Sequence, residues 1–217
     1  MAFPGDGGSL LTVAYYHHSY KTEQEYELAS LLMEKSIRSV RKWMPFADIC
    51  HLRANKTPPS PSAKTSIAYN QFGERPHHHS LVPDGNVLFL DVDCLVMRDV
   101  FDVFYDDFDV ALCVRPQFST DKPEGWFDPA FNAGAVFSKS RLFWQEFADY
   151  HRRERHQWDD GVLSRFVRQE AKQFAFKFLP SDVYNYTPRV FDEDLSGRAI
   201  VHYKGEKKKY WMKHAAH

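Results

Sequence analysis

A formal charge of −1 spread over 217 residues leaves no overall field to draw this chain to nucleic acid or to an anionic membrane. Apolar residues make up 43% and charged residues 26%, proportions that exclude a disordered chain, and no apolar run is long enough to span a bilayer. The length suits a single domain, residues 1–217, with a core of its own.

Leu10 to Tyr16 is rich in strand formers and is expected to be the first strand, with His17 and His18 in the loop after it. Thr22 and Glu25 stand three apart, as in a capping box. Behind them Tyr26, Ala29, Met33, Ile37, Val40 and Met44 recur at helical steps until Pro45 stops the helix. Ala47 to Leu52 is a second strand, and strand, long helix, strand implies a right-handed unit and a parallel sheet. Ala63 to Phe72 is expected to be a short helix. Gly73 to Asp84, with His77, His78 and His79, is expected to be a solvated loop. Phe108 to Val114 and Phe131 to Ser138 are further strands. Between them Arg115 to Asp128 forms a long polar loop. A helix from Ser140 to about Arg153 buries the aromatic stripe Phe143, Trp144, Phe147 and Tyr150, and His151 to His156 reads as its solvated end. Another helix begins near Trp158. Phe174 to Leu179 and Ala199 to Tyr203 are late strands, followed by a basic tail over 205–217, expected to be mobile until a ligand orders it. Cys50, Cys94 and Cys113 lie in apolar runs without zinc spacing and read as buried free thiols. With no leader peptide apparent, a cytoplasmic protein is expected.

The chemistry concentrates in Asn86-Val-Leu-Phe-Leu-Asp-Val-Asp-Cys-Leu-Val-Met97. An apolar strand behind a turn ends on two carboxylates, Asp91 and Asp93. Ligands of open α/β sheets bind beyond the carboxyl ends of the strands, where paired acids suit a hard divalent cation. Such a pair also serves haloacid-dehalogenase-like phosphatases as nucleophile and acid. There it lies near the N-terminus with Thr or Val two residues after the second Asp, the place held here by Leu95. A second cluster ends the chain: His202 closes an apolar strand, Gly205 follows three residues on and Lys208 six on. An imidazole for a transition metal, a glycine for close backbone approach and an ammonium for phosphate oxygens suit a diphosphate site, and a basic solvated tail after an edge strand is the alternative reading of the same residues.

FLDVDCLVMRDVFDVF, FNAGAVFSKSRLFWQEF, DDGVLSRF, FLPSDVYNY and VHYKGEKKKYW occur in this order. Together they resemble glycosyltransferase family 8, the family of glycogenin and galactosyltransferases, whose signatures are FLDADTLVL, FNSGV, DQGLLN, a Leu-Pro-x-x-Tyr-Asn-like stretch and HxxGxxKPW. The resemblance runs from about Leu10 to Trp211. It implies a GT-A fold, an α/β architecture with a mostly parallel, Rossmann-like central sheet flanked by helices. It also implies transfer of a sugar, a hexose from a UDP-sugar being favoured, from a nucleotide diphosphate sugar to an acceptor hydroxyl, with retention of configuration and with Mn2+ or Mg2+.

The resemblance assigns Asp91, Asp93 and His202 to the metal, and Gly205 and Lys208 to the phosphates. It sets Tyr20 against the base, Asn132, Ala133 and Gly134 along the donor sugar, and Lys64 on a helix before the metal strand. Asp159 and Asp160 fall beside the anomeric carbon as the catalytic candidates. Asp160 replaces a family Gln, Ala133 a family Ser, and Lys209 and Tyr210 the Pro and Trp of the last motif. The acceptor stays open among glycan, protein, small molecule and modified nucleic acid. A nucleotide-sugar-binding protein without catalysis is the alternative, against which the complete metal set argues.

Overall fold

The computed structural model describes residues 10–17, 22–54, 59–69, 79–82, 84–115, 130–154, 159–205 and 208. The strands are β1 (Thr12–His17), β2 (Asp48–Ala54), β3 (Thr65–Tyr69), β4 (Val87–Asp91), β5 (Cys94–Val96), β6 (Val110–Val114), β7 (Phe131–Ser138), β8 (Phe176–Pro180) and β9 (Ile200–His202). The helices are α1 (Glu23–Trp43), α2 (Arg141–Glu154), α3 (Asp159–Gln169) and the single turn α4 (Ser181–Tyr184), with a 3-10 segment at Phe101–Tyr105.

Seven strands form one sheet in the order β3-β2-β1-β4-β7-β6-β8, while β5 and β9 pair on their own. Only β7 runs antiparallel to its neighbours in the large sheet. The expected mostly parallel α/β fold is therefore the one observed. The chain winds outward from β1 in one direction through β2 and β3, and β4 lies on the other side of β1. The carboxyl ends of β1 and β4 thus flank the switch point where such sheets bind ligands.

Alternation along the central strands feeds two apolar layers, as expected of strands buried on both faces. Val13, Tyr15, Leu88 and Leu90 face Ala29, Met33, Ile37 and Val40 of α1. Ala14, Phe89, Leu112 and Val136 face Phe143, Trp144, Phe147, Tyr150 and Phe166 of α2 and α3. The N-terminus of α1 is closed by the reciprocal Thr22–Glu25 capping box. Ser36 sits within its apolar stripe because its hydroxyl is hydrogen-bonded to the buried Tyr15 hydroxyl at 2.9 Å.

The expected helix over 63–72 is instead the edge strand β3, parallel to β2 from Cys50↔Thr65 onward. Thr65-Ser-Ile-Ala-Tyr is a short run of strand-forming residues, and the open edge of β2 supplies the hydrogen bonds a helix would otherwise satisfy internally. Three histidines expected in solvent are also buried. His17 ends β1, His79 stacks on Phe89 with ring centroids 4.0 Å apart, and His151 packs edge-on against Phe147. Rings of this size fill apolar gaps when the sheet and α2 close around them. His18, His77, His78 and His156 lie outside the described residues. Cys50, Cys94 and Cys113 are free and buried, as expected.

His51 on β2 gives this fold an acid-sensitive point. Its Nδ1 accepts from the Ser60 N–H at 3.1 Å, which leaves the ring proton on Nε2, 3.2 Å from His17 Nδ1. A second proton would set one donor against another. Burial, then the neighbouring His17 and Arg53, lower its pKa from 6.5 to about 3. The unfolded chain therefore binds the proton first, and stability present above pH 6.5 is lost as pH falls toward 3. Between pH 6.5 and 5 the Tm of the native chain is expected to fall, and His51→Gln is expected to flatten that slope. Equal slopes in thermal melts of the two proteins would contradict this.

Candidate active site

The two-stranded β5–β9 sheet assembles the site. β4 ends at Asp91, the chain turns through Val92 and Asp93, and β5 then runs antiparallel to β9 with Cys94 opposite His202. The Asp93 carbonyl accepts from the Tyr203 N–H at 2.9 Å, which ties the turn to the end of β9. This pairing brings residues distant in sequence into contact: His202 Nε2 lies 3.1 Å from Asp93 Oδ1 and 3.5 Å from Asp91 Oδ2.

Asp93 and His202 are buried, whereas Asp91 is partly open. Burial alone would raise the Asp93 carboxyl. The hydrogen bond and charge of His202 and the charge of Lys208 outweigh it and hold the pKa well below the usual carboxylate range. Lys208 Nζ lies 3.1 Å from Asp93 Oδ2. Gly205, with φ of 52°, turns the backbone between His202 and Lys208 in the left-handed region that a side chain disfavours. Two carboxylates and an imidazole converging from two strand ends form a donor set that fits a divalent cation such as Mn2+. Cys94 Sγ also lies within 4.8 Å of the Asp93 and His202 ligand atoms. Its thiol donates to the Gly134 carbonyl at 3.3 Å, and oxygen donors suit a hard cation better, so Asp91 completes the set more naturally.

The His202 ring rests directly on β7. A Cβ built on Gly134 would stand 2.2 Å from His202 Cε1 and 2.3 Å from Nδ1, so this position excludes any side chain. Away from the carboxylates, His202 Nδ1 lies 2.9 Å from Asn185 Oδ1, just beyond α4, and Asn185 Nδ2 lies 2.6 Å from Asn132 Oδ1. Asp160, in the first turn of α3, accepts from Asn132 Nδ2 at 3.1 Å, from the Ala133 N–H at 2.8 Å and from Arg115. The negative charge that Asp160 brings to this network is thus matched by Arg115. The Ala133 methyl lies in the apolar layer under α2 and α3.

A cavity of about 240 Å³ adjoins this network, lined by Arg115, Asn132, Asn185, Tyr186, Arg189 and Lys204 among others. Burial, then the nearby Arg115, lowers the Lys204 pKa.

Of the residues singled out in the sequence, Asp91, Asp93, His202, Lys208, Asn132, Ala133, Gly134 and Asp160 come together. Gly205 shapes the turn that returns Lys208. Lys64 does not join them: it precedes β3 at the amino ends of the parallel strands and pairs with Asp48 at 2.6 Å. The switch from helix to edge strand at 65–69 carries it to that far end. Tyr20, Tyr210, Trp211 and the side chain of Asp159 lie outside the described residues. Arg115 and Asn185 carried no role in the sequence, and Lys204 entered only as the start of the basic tail. For Asn185 a signal existed, since it belongs to the FLPSDVYNY stretch; Arg115 stood in what read as a polar loop.

Solved structures share this architecture. GlyE, a glycosyltransferase of Streptococcus pneumoniae TIGR4, matches over 97% of this chain at 15% identity with a TM-score of 0.62, and this chain spans 61% of GlyE. The galactosyltransferase LgtC, in the form of an active-site mutant, matches over 94% of this chain and 95% of its own at 15% identity, with a TM-score of 0.58. A glycosyltransferase involved in glycosylation of the major capsid of PBCV-1 matches over 95% and 98%, at 10% identity and a TM-score of 0.59. At these identities the likeness shows the fold, a GT-A-like one. No curated protein matches the chain in sequence. No helix among the described residues is long and apolar enough to cross a membrane. The sequence model that describes nucleotide-diphospho-sugar transferases matches residues 77–216, a stretch that holds both carboxylates, His202 and Lys208, and the chain belongs to that family.

Proposed function

We propose that this chain is a metal-dependent glycosyltransferase of the family 8 type. In this reading residues 1–217 form one catalytic domain that moves a hexose from a UDP-sugar to an acceptor hydroxyl with retention. The observation that carries the reading is the His202 imidazole aimed at Asp91 and Asp93 from the opposite strand, with Lys208 beside them. Asp91, Asp93 and His202 would hold Mn2+ or Mg2+. When bound, the cation offers positive charge to the departing diphosphate.

The chain's own residues supply the rest. Lys208 exchanges its bond to Asp93 for phosphate oxygens, and the Gly205 turn gives it that reach. Tyr20, which comes shortly after β1 in the sequence, would stack on the base. Asn132 forms the sugar-side wall beside Gly134, while the Ala133 methyl, turned to the other face of β7, stays in the core, and the cavity beyond Asn185 has room for a sugar ring of donor or acceptor.

Both oxygens of Asp160 are engaged, by Arg115, Asn132 and the Ala133 N–H. That supports a positioning role for it and leaves Asp159 as the carboxylate to stabilise an oxocarbenium-like state. The test is a nucleotide-sugar panel with Mn2+ present or chelated, read as released nucleoside diphosphate; UDP release that requires Mn2+ is the expected result.

A further inference from the structure

The face of His202 turned away from the carboxylates is held by amides whose orientation can be deduced, and the deduction starts at Asn132. One of its amide atoms lies 3.1 Å from the Gly134 N–H, a group that donates and never accepts, so this atom is Oδ1. The other lies 3.1 Å from Asp160 Oδ2, an oxygen that also accepts from Arg115, so this atom is the donor Nδ2. Asn185 approaches Asn132 Oδ1 at 2.6 Å and must present Nδ2 to it. Its Oδ1 then lies 2.9 Å from His202 Nδ1 and has no proton to give, so His202 donates from Nδ1. Reversing Asn132 sets N–H against N–H at Gly134 and oxygen against oxygen at Asp160, and reversing Asn185 sets oxygen against oxygen at Asn132, each mismatch at a buried amide.

With Nδ1 committed to Asn185, Nε2 is the ring nitrogen turned toward Asp91 and Asp93 and the one left to meet a cation between them. We propose that Asn185 is a positioning residue that fixes the His202 tautomer for metal binding, and that Asp160, through Asn132, sets the direction of the relay. This rests on the metal reading above and extends it to residues that touch no metal. It also gives a physical use to the acid that stands where the family has Gln. An amide at position 160 could present either end to Asn132, whereas a carboxylate has no donor end.

The relay is tested by Mn2+ titration followed by electron paramagnetic resonance of the free ion, together with 15N NMR of the His202 ring in the metal-free protein. Asn185→Leu removes the acceptor and is expected to weaken Mn2+ binding about 10- to 100-fold, the range for outer-shell partners of metal-bound histidines. Asn185→Asp keeps an acceptor on Nδ1 and is expected to recover most of that loss. The native ring is expected to carry its proton on Nδ1, and Asn185→Leu to release that preference. Native Mn2+ affinity in Asn185→Leu, or an Asp variant no better than the Leu variant, would overturn the proposal. If the native chain binds no Mn2+, the metal reading falls. The NMR then decides the relay alone: a proton held on Nδ1 supports it, and a proton on Nε2 with Nδ1 bare overturns it.

Discussion

Gly134→Ala is expected to abolish metal-dependent transfer. The added methyl would stand 2.2 Å from His202 Cε1 and 2.9 Å from Asn132 Oδ1. Neither neighbour can yield cheaply, because His202 is held by strand pairing and by Asn185, and Asn132 by Asp160 and the Gly134 N–H. The backbone of β7 is equally fixed, lying between β4 and β6 in the middle of the sheet. The imidazole must therefore leave its seat, and the metal set loses one ligand of three. Turnover is expected to fall by two orders of magnitude or more, and overpacking to cost about 1–3 kcal/mol of stability. Parallel measurement of Mn2+ affinity and of Tm checks both parts. A variant that binds Mn2+ as the native chain does would show that His202 does not lie against β7 in the working protein.

Asp93→Asn is expected to have a similar effect on turnover by a different route. The carboxylate is buried and bonded on both oxygens, to His202 at 3.1 Å and to Lys208 at 3.1 Å. An amide of the same shape fills the space but brings no charge to a cation. It also weakens the bonds to Lys208 and His202 at a buried position, so the expected stability loss at neutral pH is about 1–3 kcal/mol.

The pH dependence separates this from simple misfolding. The folded carboxyl titrates below its ordinary value of 3.8, so its contribution is present above that value and is lost as pH falls through the folded pKa. Native chain and variant should therefore converge in stability as pH falls below 3.8, where most of the His51 effect, which begins near pH 6.5, has already been lost from both proteins. Divergence that persists unchanged at low pH would reject this account of Asp93.

How much of this was legible in the sequence follows from the range of the interactions. Local signals read correctly. The capping box and apolar stripe of α1 are decided within a few residues, and so is the turn that sets off β4. The Asp pair was placed at a strand end because an apolar run simply stops at Asp91. The β5–β9 pair was not visible as a unit, since each strand has three residues and gains its meaning from a partner about a hundred residues away. That pairing, more than either motif, sets His202 over the acids.

Thr65–Tyr69 was misread because five residues carry too little periodicity to separate helix from edge strand, and β2 decides the matter. Asn185 and Arg115 were passed over for a related reason. An amide or a guanidinium has no intrinsic role until its partners are known, and theirs are supplied by β7 and α3. The buried His79 and His151 show the converse, polar residues whose apolar surroundings come entirely from tertiary packing.

The account stands most directly on the release of nucleoside diphosphate from a panel of nucleotide sugars, measured with Mn2+ and again with the cation chelated. Expected is release of UDP from at least one UDP-hexose with Mn2+, accelerated by an acceptor, absent with chelator and absent in Asp93→Asn. Equal release with and without chelator, or release undiminished in Asp93→Asn, would contradict the claim that Asp91, Asp93 and His202 form a working metal site.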